Sequence, residues 1–193
     1  MSDDLGLEIC EKLEELGPSV SVAMEICFDC YFDAIRGLVD NFSNQRDFNC
    51  IYITSSIPAA TLQGALETLE VSTERVHFID CLSHMLMGNI SKNDHIIFVE
   101  SPTMLENVIL KVEYLMRKNN SAPTVVILDS IDSLAIHNES KILTEFLQIL
   151  LGGLKAREVF PVVLSMKEQS KPDIKEMVHL ICDSVVTFGD EEE

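Results

Sequence analysis

The chain predicts an α/β three-layer sandwich with a mostly parallel central sheet. Short runs rich in Val, Ile and Phe alternate with longer amphipathic segments, the order that strands joined by helical crossovers require. Several runs, "HIIFV", "TVVIL" and "FPVVL", are apolar without alternation, as strands are when helices cover both faces of a sheet. With 193 residues and 47% hydrophobic side chains, the length suits one domain with its own core. Residues 1–17 read as an N-terminal amphipathic helix, 18–188 as the core and 189–193 as a frayed acidic tail.

The elements follow in order. Leu5, Ile9, Leu13 and Leu16 repeat at spacings of four, four and three, a helical stripe over 4–16 that Gly17-Pro18 ends. "SVSVAME" alternates as a strand does. From Met24 the period becomes helical: Met24, Phe28, Tyr31, Ile35, Leu38 and Phe42 form one stripe. "CIYITSS" is a β-branched run bounded by polar residues, and Pro58 opens a helix with Leu62, Leu66 and Leu69 on one face. "RVHFID" and "HIIFVE" are strands, followed by a long helix, "TMLENVILKVEYLMRKNN". "TVVILDS" is a fifth strand, "SKILTEFLQILLGGLKAR" a helix, "FPVVLS" a sixth strand, "IKEMVHLIC" a short helix and "DSVVTF" the last strand.

Composition excludes several functions. The formal charge is -18, from 14 basic and 32 acidic residues. Such a surface repels phosphate backbones and anionic membranes, which argues against nucleic-acid and membrane partners. No apolar run has the length of a membrane span, and the acidic start carries no signal-peptide pattern, so a cytoplasmic protein is expected. The six cysteines, Cys10, Cys27, Cys30, Cys50, Cys81 and Cys182, are scattered and read as reduced core residues.

Ligands of open α/β sheets bind beyond the carboxyl ends of the strands. The residues there are Glu25, Ser55 and Ser56, Asp80, Glu100, Asp129 with Ser130, and Ser165 to Lys167. An apolar strand ending in Asp has the form of a Walker B element, whose carboxylate reaches Mg²⁺ or its water. "TVVILDS" fits. The alternative is that Asp129 caps the next turn.

The order "TVVILDSIDSL", helix, "FPVVLSMKEQ", helix, "CDSVVTF" resembles the second half of RecA-like ATPases, particularly the KaiC-type branch. "CIYITSSIPAATLQGALETLEV" is similar to the strand and helix that follow the nucleotide helix there. The resemblance covers about residues 18–188 and implies a RecA-like P-loop NTPase fold. The departures matter more. Where that family has Gly-x-x-x-x-Gly-Lys-Ser/Thr, whose backbone N–H groups and lysine hold phosphate, this chain has "AMEICFDCYFDA", with neither glycine nor lysine. Glu25 and Asp29 there would repel a triphosphate. Ser55 and Ser56 stand where the KaiC-type branch commonly has water-activating glutamates, and a hydroxyl is a poor general base at neutral pH. A group of archaeal RecA-like proteins lacks the phosphate loop in a similar way.

The resemblance therefore implies a non-hydrolysing domain with a regulatory or scaffolding role, bound to a protein partner or to its own copies, with no cofactor expected. A second reading is an unconventional nucleotide or small-anion binder. It would use Asp129 with Mg²⁺, Ser130, Ser55, Ser56 and Lys167, with Glu100 sharing the cation if its strand neighbours that of Asp129. Lys167 is otherwise expected to pair with Glu168 or Asp173. A third reading is a thiol redox protein acting through Cys27 and Cys30, set against plain packing of the two in a helix whose stripe Phe28 and Tyr31 share. Zinc lacks a second ligand pair: His77, Cys81 and His84 have no finger-like spacing, and His95, His137 and His179 carry no motif.

Overall fold

All seven apolar runs form strands in the computed structural model, which describes residues 2–87, 94–118 and 122–189. They are β1 (Val22–Ile26), β2 (Asn49–Thr54), β3 (Val76–Asp80), β4 (Ile96–Phe98), β5 (Thr124–Asp129), β6 (Phe160–Met166) and β7 (Ser184–Phe188). They join in one sheet, β4-β3-β2-β5-β6-β1-β7, and every neighbouring pair is parallel.

The pleat sorts side chains by parity, because successive residues of a strand face opposite sides. Met24, Tyr52, Phe78, Val125, Ile127 and Leu164 face one layer, built on α1 (Ser2–Leu16), α2 (Tyr31–Arg36) and its π-helical continuation Gly37–Ser43, and α3 (Ala59–Thr68). Ala23, Ile51, Ile53, Val126, Leu128 and Val163 face the other. That layer is built on α5 (Leu105–Lys118), α7 (Ser140–Lys155) and α8 (Pro172–Ile181); α4 (Ser83–Met87) and α6 (Ile131–Leu134) are short turns at strand ends. Both faces are covered, which is why the inner strands do not alternate in sequence.

The N-terminal helix packs on its own chain. Ile9 and Leu13 are buried, Arg46 holds Glu14, and Gly37 admits the backbone of Gly6, which a Cβ at Gly37 would meet at 3.0 Å. Leu62 and Leu66 are buried as expected, but Leu69 is exposed, because α3 ends at Thr68. Among the described residues no helix is long and apolar enough to cross a membrane. Residues 119–120 of the expected long helix and 190–193 of the expected tail lie outside the described residues.

The stretch after β1 departs from the reading. Its helix begins at Tyr31, not Met24, and a 3₁₀ turn over Phe28–Cys30 intervenes. That turn breaks the phase of the stripe. Phe28, expected in the core, is 65% exposed, while Ile35, Leu38 and Phe42 are buried.

Candidate functional site

Parity also sets the site. Asp129 continues the row of Val125 and Ile127, so its carboxylate turns toward the α2 layer at the carboxyl end of β5. Tyr52 shares that face on neighbouring β2, where Tyr52 pairs with Ile127 and Thr54 with Asp129. Tyr31, in the first turn of α2, reaches the same point from beyond β1. The outcome is an enclosed carboxylate. The Tyr31 hydroxyl donates to Oδ2 of Asp129 at 2.5 Å, the Tyr52 hydroxyl to the same oxygen at 2.8 Å, and the Ser56 hydroxyl to Oδ1 at 2.8 Å.

Asp129 has no solvent exposure. Burial pushes its carboxyl above the ordinary range, against the pull of the three hydroxyls. Burial and the adjacent carboxylate push both phenols far up, so Tyr31 and Tyr52 stay protonated and act as donors. The network extends outward: Ser133 donates to Ser56 at 3.3 Å, and the Ser130 and Ser133 hydroxyls lie 3.0 Å apart.

The neighbouring serines fix backbone. Ser55 Oγ donates to the carbonyls of Asp129 at 3.2 Å and Ser130 at 3.0 Å. Ser130 caps α6 by accepting from the Ser133 N–H at 3.2 Å. Asp132, which the sequence did not single out, accepts the Met166 N–H at 2.7 Å through Oδ2, tying α6 to β6. Asp80 accepts from the N–H groups of Ala59, Leu82 and Ser83 and from the Ser83 hydroxyl, so it caps α3 and the turn after β3.

The expected pairing of Glu100 with Asp129 is corrected by the sheet order. β3 and β2 lie between β4 and β5, which separates the two strand ends by roughly 14 Å. Glu100 is exposed and accepts from Asn107 at 3.1 Å. Among the described residues no group of three His, Cys, Asp or Glu side chains is arranged to hold a metal ion.

Lys167 is half-buried, and its backbone N–H donates to the Ile26 carbonyl at 3.0 Å, fixing the β6 loop against β1. Of the partners expected for it, Glu168 accepts the Phe28 N–H at 3.3 Å and Asp173 accepts from Ser140.

Glu25 lies on the opposite face from Met24, under α8. His179 Nε2 is 2.6 Å from Oε1, Lys175 Nζ 3.4 Å from Oε2, and the Thr187 hydroxyl donates to Oε2 at 3.4 Å. Burial raises the carboxyl, but His179 and Lys175 outweigh it and hold Glu25 below the ordinary range. His179, without a motif in the sequence, is thus the main partner of a buried carboxylate on the other face of the sheet.

Cys27 and Cys30 are corrected as well. They are partly exposed and joined in a disulfide rather than reduced in the core. Cys10, Cys50, Cys81 and Cys182 are free and buried as expected. Gly189, assigned to the tail, sits against the bridge in a left-handed conformation: a Cβ there would fall 2.5 Å from Cys30 Sγ and 2.6 Å from Cys27 Sγ.

Tyr31 and Tyr52 are the residues around Asp129 that the sequence reading does not single out. Their signal was weak but present: a tyrosine within a core stripe needs a partner for its hydroxyl, and a buried strand-end Asp needs donors.

No protein-family model and no curated protein matches the chain. Solved structures do. A KaiC-like protein from the hyperthermophilic archaeon Pyrococcus horikoshii OT3 superposes with a TM-score of 0.61 at 16% identity, covering 90% of this chain and 75% of its own. The flagellar accessory protein FlaH from Methanocaldococcus jannaschii superposes with a TM-score of 0.59 at 12% identity, covering 93% of this chain and 76% of its own. With the parallel sheet and the Walker B-like strand ending at Asp129, these likenesses establish that the chain has the RecA-like fold of KaiC-like proteins.

Proposed function

We propose that this chain is a RecA-like domain that does not hydrolyse ATP and that acts through protein–protein contacts, as a regulator or scaffold. The observation that carries this reading is the enclosure of Asp129 by Tyr31, Tyr52 and Ser56. A Walker B carboxylate works by reaching Mg²⁺ or its water. Here neutral hydroxyls occupy its lone pairs, and Tyr31 projects from the helix that a phosphate loop would otherwise precede.

The surroundings support the same reading. The segment between β1 and α2 offers Cys27, Phe28, Asp29 and Cys30 in place of glycines and a lysine. Ser55 and Ser56 are committed to internal hydrogen bonds. Against a net charge of -18, a partner with a basic surface would be drawn in.

The test combines phosphate release from Mg·ATP with mass in solution. Release by the wild type should equal that of Asp129→Asn. Light scattering should find a self-associated species, or a basic protein should be retained by the immobilised chain in a salt-sensitive way. Turnover that disappears in Asp129→Asn would end this reading.

A further inference from the structure

We propose that Cys27 and Cys30 form a thiol–disulfide exchange site whose client is a cationic peptide dithiol. The bridge lies at the carboxyl end of β1, on the sheet edge where α/β folds bind ligands, and both sulfurs' residues are partly exposed. It has little structural purpose. It closes the shortest loop a Cys-x-x-Cys pair allows, so it removes little entropy from the unfolded chain. The turn is already closed by the Cys30 N–H donating to the Cys27 carbonyl at 3.2 Å and anchored by Glu168 on the Phe28 N–H.

The other cysteines provide the contrast. Cys10, Cys50, Cys81 and Cys182 are at most 7% exposed, and burial pushes Cys50, Cys81 and Cys182 up to about 12. Buried thiols of that kind are inert, so exchange is confined to the partly exposed pair.

The backbone of Gly189 lies against both sulfurs, where any side chain would meet them. The client's character follows from the residues that flank the pair in the chain and anchor its turn. Phe28 is 65% and Phe32 42% exposed, giving an apolar contact. Asp29 lies within the pair, Asp33 three residues after Cys30 and Glu168 at the anchor of the turn, so acids outnumber Lys167, whose N–H donates to Ile26 beside Cys27. Acidic neighbours repel an anionic thiol such as glutathione and attract one flanked by Arg or Lys.

The chemistry balances without a cofactor. A client thiol gives its proton to solvent, and the thiolate attacks one sulfur of the bridge. A mixed disulfide forms, and the other cysteine leaves as a thiolate and takes up a proton. The second client thiolate then attacks the mixed disulfide and frees the first cysteine. Two electrons pass to Cys27 and Cys30, which end as thiols, and the client ends as a disulfide; a second disulfide compound reverses the process.

The test uses the wild-type chain in its native state. The oxidised protein is mixed with a synthetic peptide carrying two cysteines flanked by Arg and Phe, or with its Glu-flanked counterpart. Samples are quenched in acid, labelled with a maleimide and mapped by mass spectrometry. Labels should appear on Cys27 and Cys30 alone, matched one for one by peptide oxidation. The cationic peptide should react roughly tenfold faster at low salt, with the gap closing as salt screens the charges. As a second readout, the thiol left in Cys30→Ser or Cys27→Ser should attack the disulfide form of the peptide, release one peptide thiol and stay trapped as a mixed disulfide. A bridge that stays oxidised in the folded protein, or rates indifferent to peptide charge, would overturn the proposal.

Discussion

The Tyr31 hydroxyl donates to Asp129 Oδ2 at 2.5 Å across the end of β6, which separates β1 from β5 in the sheet. A single side chain thereby joins the start of the helix after β1 to the Walker B-like strand. In a nucleotide-binding RecA-like domain that gap is where phosphate and its cation sit. Under the proposed reading a phenol closes it here, with Tyr52 completing the cover from β2.

Removing either phenol leaves a buried carboxylate short of a donor. Tyr31→Phe and Tyr52→Phe should each destabilise the fold by about 1–3 kcal/mol, the cost of an unsatisfied buried polar group. Urea unfolding at neutral pH measures this. In the double variant the losses should fail to add, because both phenols serve the same oxygen.

Asp129 imposes a pH dependence of known sign. Its folded-state pKa is raised above the unfolded value, so between the two the unfolded chain has released a proton that the folded chain keeps. The group's favourable contribution is present below the unfolded pKa and is lost as pH rises through the folded pKa. Asp129→Asn removes that titration. The stability of the variant relative to wild type should rise with pH across that window, as read from urea midpoints at a series of pH values. A constant difference would show that Asp129 does not titrate in this way.

Glu25 has the opposite sign. Its folded-state pKa is lowered, with His179 and Lys175 overcoming the effect of burial. Its contribution is present above the unfolded pKa and lost as pH falls through the folded one. The side chains of His179 and Lys175 are 41% and 50% exposed, so His179→Ala should cost only about 1 kcal/mol at neutral pH. That loss should shrink on acidification through the carboxylate range, where thermal unfolding of the two proteins should converge.

Gly189→Ala should destabilise the oxidised protein by about 1–2 kcal/mol or more, since it combines a strained left-handed backbone with a clash against both sulfurs. Chemical denaturation of wild type and variant compares them directly.

The strands were legible because burial on both faces writes itself as unbroken apolar runs, and "TVVILDS" exposed Asp129 by position alone. Strand order was not legible. Nothing local in "HIIFVE" tells that β3 and β2 separate it from β5, so the sequence alone leaves Glu100 a candidate partner of a carboxylate it does not approach. The stretch after β1 misled for a different reason. Met24 and Tyr31 are seven residues apart in sequence, a spacing that suits one helix, but the 3₁₀ turn Phe28–Cys30 shifts the phase. Phe28 turned outward, Cys27 met Cys30, and Tyr31 aimed its hydroxyl at Asp129. Lone tyrosines in apolar stripes pass as core residues until the polar group that accepts from them is located in space.

Thermal unfolding titrated with Mg·ATP tests the central claim most directly. If the hydroxyls closing on Asp129 exclude a nucleotide and its cation, the melting temperature should not move at millimolar Mg·ATP. A site filled at a hundredfold excess over its Kd would add about 2.7 kcal/mol, or roughly 5–10 °C in a chain of this size. A saturable rise of that order, abolished by Asp129→Asn, would contradict the account.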